Sequence, residues 1–229
     1  MQFGIFGSAQ AHAGDLGPET GQGFRDYLDY AAEAEALGFQ SSFLVEHHFT
    51  GWNQVSATLM LQTALAMRTT RLRLGTAVIV LPWHNPVLMA EQAATLDLIS
   101  GGRLDFGIGK GYRHGEFRGF RIPPEEAEPR FEEAVGVIVK AFTSRERFSH
   151  QGRFWQFDDI VVEPPPMAIT SATPRTTFTS VLAPLRFGAA GPLLGVTRTG
   201  VGEPPGAAGS MGAGCDGWLG SSVTRVSYS

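Results

Sequence analysis

Arg73-Leu74-Gly75-Thr76-Ala77-Val78-Ile79-Val80-Leu81-Pro82, followed two residues later by Asn85-Pro86-Val87-Leu88-Met89-Ala90-Glu91-Gln92, is the stretch that decides the fold. Residues 72–81 are mostly apolar and rich in β-branched side chains, and Pro82 closes the run. A strand of that kind is buried on both faces, and such strands belong to parallel sheets covered by helices. Asn85 then stands at an N-cap and Pro86 at the first helical position, where its missing N–H costs nothing. The helix is expected to run to about residue 100, where Gly101-Gly102 stops it. Strand, short turn and helix make one βα unit.

The same unit recurs on either side. Upstream, residues 2–6 form a short apolar run closed by Gly7, and Phe24, Tyr27, Leu28, Ala31, Ala34 and Leu37 follow at helical spacing before Gly38. A second apolar run at 42–45 leads through Glu46-His47-His48-Phe49 to a helical stretch over about 53–68. Downstream, residues 103–108 read as a fourth strand ending in Gly107-Ile108-Gly109-Lys110-Gly111. A polar loop follows, and then Phe131, Ala134, Val135, Ile138, Val139 and Phe142 give a helix with one apolar face. Four β-then-α units imply an α/β fold with a parallel sheet and helical crossovers. Periodicity leaves two architectures open, a doubly wound sheet and a (β/α)8 barrel. Residues 150–162 look like a hairpin or extended excursion, ended by Glu163-Pro164-Pro165-Pro166.

From about residue 168 the composition changes. Gly, Ala, Ser, Thr and Pro dominate, lysine is absent, and Glu203 and Asp216 are the acidic residues left. No helical or alternating pattern persists, and 181–187 is the best short candidate for an element. The expected organisation is a βα domain over 1–167 and a low-complexity tail over 168–229, either disordered or read in a shifted frame.

Composition narrows the function classes. The 18 basic and 22 acidic residues give a net charge of −4, with no basic stripe, so nucleic acid is not the expected partner. Cys215 is the single cysteine, which excludes a disulfide framework and fits a reducing cytoplasm. The start has no secretory pattern, and no run approaches a membrane span.

In order and spacing, several stretches resemble the bacterial luciferase-like flavin-dependent monooxygenase family. They are Phe3-Gly4-Ile5-Phe6, Ala36-Leu37-Gly38-Phe39, Glu46-His47-His48-Phe49, the 73–82 and 85–92 runs, Leu96-Asp97, Ser100-Gly101-Gly102-Arg103-Leu104, Gly107-Ile108-Gly109-Lys110-Gly111-Tyr112, and Gly152-Arg153-Phe154 on to Pro166. The resemblance covers about 70% of the chain by this reading and stops after Pro166. It implies a (β/α)8 TIM barrel of which about the first four βα units are present. It implies reduced FMN and O2 acting on a small organic substrate, with a separate flavin reductase supplying FMNH2. Relatives that use the deazaflavin F420 for hydride transfer provide an alternative, and a non-catalytic half-barrel remnant is another.

Barrel sites lie at the carboxyl ends of the strands. Neighbouring side chains on a strand point to opposite faces, so His47 and His48 cannot both face one ligand. The resemblance puts His47 beside the isoalloxazine ring as acid or base. It also places a non-prolyl cis peptide at Ala77-Val78, under the ring. Asn85 has two readings, a contact to the flavin's polar edge and an N-cap. Lys110 stands at the mouth of the fourth strand, facing flavin or substrate polar groups or else solvent. Gly107, Gly109 and Gly111 are not read as a dinucleotide fingerprint, because a polar loop rather than a helix follows them. Adjacent histidines lack metal-ligand spacing, so no metal is expected. The barrel phosphate site built from strands seven and eight is missing from this reading. The chain alone is therefore expected to hold flavin weakly or not at all, and to aggregate or self-associate to cover its open edges.

Overall fold

The computed structural model describes residues 3–11 and 21–167 with their side chains, and the backbone strands 176–181 and 223–228. In chain order come β1 (Gly4–Gly7), α1 (Gln22–Ala36), β2 (Ser41–Leu44), α2 (Thr58–Ala66), β3 (Arg73–Thr76), β4 (Ile79–Val80), α3 (Pro86–Ser100) and β5 (Leu104–Gly109). Next are the short α4 (His114–Gly119), α5 (Ala127–Thr143), and the antiparallel hairpin of β6 (Phe148–Gln151) and β7 (Gln156–Ile160).

Strands β1, β2, β3 and β5 are parallel and adjacent in sequence order. A doubly wound sheet reverses its order at a switch point, and this one does not. The order is that of a barrel wall. In register, Ile5, Ser42, Leu74 and Leu104 line the helix-covered side. There Leu74, Leu104, Phe106 and Ile108 join Ala90, Ala93 and Ala94 of α3 in the main core. The three alanines let α3 lie close to the sheet. The stripe expected on α5 is buried at Phe131, Ala134, Ile138 and Phe142. Phe6, Phe43, Gly75 and Asp105 share the opposite face, which in a barrel looks inward, and Phe6 there is 61% exposed.

The strand expected over 72–81 is divided. β3 ends at Thr76 and β4 begins at Ile79, with the Ala77-Val78 peptide cis between them, where the resemblance put it. A turn of 3-10 helix, Leu81–Trp83, then leads to α3. Asn85 caps α3: its side-chain oxygen accepts from the backbone N–H of Val87 at 3.0 Å and of Leu88 at 3.2 Å. Gly101 closes the helix with a left-handed φ of 69°. Gly107 is required by a close approach, since a Cβ there would lie 2.0 Å from the Thr76 carbonyl oxygen.

The tail expectation is corrected at two places. β8 (Thr176–Val181) and β9 (Val223–Tyr228) pair antiparallel, and β9 continues the sheet antiparallel to β5. Thr-Thr-Phe-Thr-Ser-Val and Val-Thr-Arg-Val-Ser-Tyr are rich in β-branched and aromatic residues, a signal that the surrounding composition hid. The remainder of the reading for 168–229 lies outside the described residues.

Candidate active site

The carboxyl ends of β2, β3 and β5 carry the chemistry-bearing side chains. Glu46-His47-His48 leaves the end of β2, as expected, and its side chains go in different directions. His47 reaches Glu116 of α4, with Nδ1 3.1 Å from Oε1. The same Oε1 accepts the backbone N–H of His48 at 2.9 Å. His48 turns back to Glu46, its Nε2 2.7 Å from Oε1.

Glu46 is the hub. Its Oε1 also receives the Trp83 indole N–H at 2.9 Å and stands 2.9 Å from His84 Nε2. Its Oε2 accepts the Val80 backbone N–H at 3.2 Å. The residue is only 2% exposed. Burial pushes its carboxyl up, but the His48 and His84 hydrogen bonds, the charge of His84 and the Trp83 N–H outweigh that and bring it down to about 2. Glu116 is buried as well. Over these polar groups lies an aromatic layer in which Trp83 stacks on Phe120 at 5.0 Å and meets Phe117 edge-on at 5.3 Å, while His48 stands edge-on to Phe120 at 4.9 Å.

The five site residues expected from sequence are not gathered into one hydrogen-bonded group. His47 goes to Glu116, and Ala77 donates its N–H to the Leu44 carbonyl of β2 at 2.7 Å. Val78 completes the cis peptide. Asn85 is occupied in capping. Lys110, just past β5, forms an ion pair with Glu128 of α5. Among the described residues none of the five hydrogen-bonds to another. Sequence reasoning left out Glu116, Trp83 and His84 and passed over Glu46 as part of a motif. No periodic signal marks them. Glu116 sits on a six-residue helix inside what reads as a polar loop, and His84 joins Glu46 only through the turn that precedes α3.

The sequence profile of the luciferase-like monooxygenase family matches residues 1–194. The chain belongs to that family, and its strands form part of the family's barrel. It is similar to the 4-hydroxyprotoasukamycin monooxygenase of Streptomyces nodosus subsp. asukaensis, with 29% identity over 194 residues, covering 80% of this chain and 52% of that protein. It is also similar to the FMNH(2)-dependent dimethylsulfone monooxygenase of Pseudomonas putida, at 31% identity over 61% of this chain and 40% of the relative. Among solved structures, the monooxygenase RslO1 from Streptomyces bottropensis superposes with a TM-score of 0.66 at 32% identity, over 72% of this chain and 50% of that one. The chain spans about half the length of the curated relatives it matches.

Proposed function

We propose that this chain carries the ring-binding half of a flavin-dependent monooxygenase site, with His47 as its acid–base group. Reduced FMN, when bound, supplies the electrons with which O2 is activated toward a small organic substrate. The supporting observation is the His47–Glu116 pair at the strand mouths. With Glu116 Oε1 accepting, Nδ1 is the donor and Nε2 is left to take or give a proton. The backbone N–H of His48 fixes the same carboxylate oxygen, so the imidazole is held from behind rather than free to rotate. A flavin ring exchanges protons along its polar edge, and this donor set suits it.

The residues fit the ring better than the phosphate. Ala77 and Val78 would lie beneath the ring. Lys110 would meet an anionic group by sharing itself with Glu128. Asn85 already spends its side-chain oxygen on α3. The phosphate anchor of a full barrel comes from later strands. Weak binding of flavin and self-association that covers the open strand edges are proposed for this chain alone. Electrons would come from a separate flavin reductase, in keeping with the FMNH(2)-dependent relative.

The test is an anaerobic titration of the full chain with reduced FMN and, separately, with reduced F420, read by the ring proton signals of His47. Saturable, weak FMN binding that shifts those signals and is lost in His47→Phe supports the reading. Stronger F420 binding would move the chain to the hydride-transfer alternative. Failure of both cofactors to perturb His47 would leave a non-catalytic half barrel.

A further inference from the structure

We propose that Glu46, His48 and His84 form a binding site for one divalent transition-metal ion of the Zn2+ or Fe2+ type, separate from the His47–Glu116 pair. The proposal does not depend on the flavin reading. Adjacent histidines gave no metal spacing in the sequence. The fold instead joins His48 to a histidine 36 positions on, with a carboxylate between them.

The ligand set is one carboxylate and two imidazoles, each offering an atom within 4.8 Å of the others. Bonds of about 2.0–2.2 Å to an ion separate tetrahedral ligand atoms by roughly 3.3 Å. The contacts of 2.7 and 2.9 Å to Glu46 Oε1 would thus open by about half an ångström. Both histidines stand in loop backbone outside any helix or strand, where small side-chain rotations suffice. Two imidazoles with one carboxylate suit zinc, or iron(II) with open positions for water.

Charge argues the same way. Glu46 and Glu116 are both buried, and their ion-pair partners among the described residues are all histidines. Buried charges are paired or bind metals, and an imidazole is a cation only when protonated. A divalent ion would supply that charge permanently. Oε1 of Glu46 is also crowded, with three nitrogens converging on one oxygen that has two lone pairs. An ion bound to the Nε2 lone pairs removes two of those hydrogens and leaves the Trp83 N–H in place. Val80 N–H and Trp83 N–H would then orient the ligating carboxylate from outside, the usual arrangement around a protein-bound metal. The ion has a way in, because the side chains of His48 and His84 are 14% and 24% exposed while Glu46 lies beneath them at 1%.

The test uses tag-free full chain stripped with chelator, titrated with Zn2+ by calorimetry and with Co2+ by visible absorption. One equivalent of saturable binding is expected, with d–d bands of a low-symmetry Co2+ site. His48→Ala and His84→Ala should each weaken Zn2+ binding by about tenfold or more. His47→Ala should leave it unchanged. Zn2+ should raise the Tm of the unaltered chain and not that of His84→Ala. Where a variant fails to fold, the ring proton signals of the unaltered chain decide: Zn2+ must shift His48 and His84. Absence of saturable binding, binding that survives loss of both histidines, or shifts confined to other histidines would overturn the proposal.

Discussion

At the amino ends of the strands, Glu35 accepts the backbone N–H groups of Thr70, Arg71 and Leu72. Arg103 donates there to the carbonyls of Ala66, Leu72 and Ser100 and to the Thr69 hydroxyl, at 2.7–3.0 Å. At the carboxyl ends, Glu46 and Glu116 are bound to three imidazoles as well as to the Trp83 indole and to backbone N–H groups. Below, ions of fixed charge hold loop backbone in place. Above, buried carboxylates hold side chains whose charge depends on their surroundings. The first arrangement serves stability, and the second stores groups that can exchange a proton or bind a ligand. That division between the two ends is the one barrels show in general.

The largest effect should come from below. Arg103→Ala leaves three carbonyls and a hydroxyl without their charged donor, and about 4 kcal/mol of stability should be lost. Urea unfolding midpoints measure it. The ring signals of His47 and His48 should stay where they are. If they move, the two ends are coupled and the division fails.

Glu46→Gln tests the upper end with a pH signature. The carboxyl sits at about 2, against an ordinary value of 4.5, so the charged form favours the folded state. The contribution is fully present above about pH 4.5 and disappears as pH falls toward 2, where both forms are protonated. The variant should lose on the order of 3 kcal/mol near neutrality. Unfolding midpoints of the two proteins should converge as the pH falls through that window. A constant gap across pH would assign Glu46 a packing role only.

Glu116→Gln should cost about 2 kcal/mol, since an amide keeps the shape but weakens the bonds to His47 and His48. Should the flavin reading hold, turnover with reduced FMN should fall by about a hundredfold, the scale of a lost acid–base contribution, with smaller change in substrate KM. Equal losses in stability and KM with unaltered kcat would make Glu116 a structural residue.

How much of this was legible depended on whether a feature is local. The βα units, the Asn85-Pro86 start and Gly101 stop of α3, and the apolar stripe of α5 depend on neighbours in sequence, and all were readable. Strand order was not, because hydrophobic periodicity is the same in a doubly wound sheet and a barrel. His47 was singled out by the family resemblance alone, since alternation at a strand end says only that it and His48 point to opposite faces. Its partner Glu116 lies 69 positions away, and His84 joins Glu46 across 38. No residue spacing encodes such contacts, since the fold alone brings the segments together. β8 and β9 were hidden differently, as short β-branched runs inside a Gly- and Ala-rich background.

Asn85 gives the smallest effect and the finest test of the boundary between the two ends. It lies at the upper end yet acts like a lower-end residue, accepting backbone N–H groups of its own helix. If capping is its whole role, Asn85→Ala should lose about 1 kcal/mol and Asn85→Asp almost nothing, because a carboxylate caps as well and favours the helix N-terminus. Cofactor titrations should then be the same for both variants and the unaltered chain. If Asn85 also meets the flavin's polar edge, the two readouts should separate. Asp would restore stability but weaken reduced-FMN binding, having exchanged an amide donor for a negative charge. Thermal unfolding of the three proteins beside their titrations makes that distinction, and parallel behaviour in both would remove Asn85 from the site.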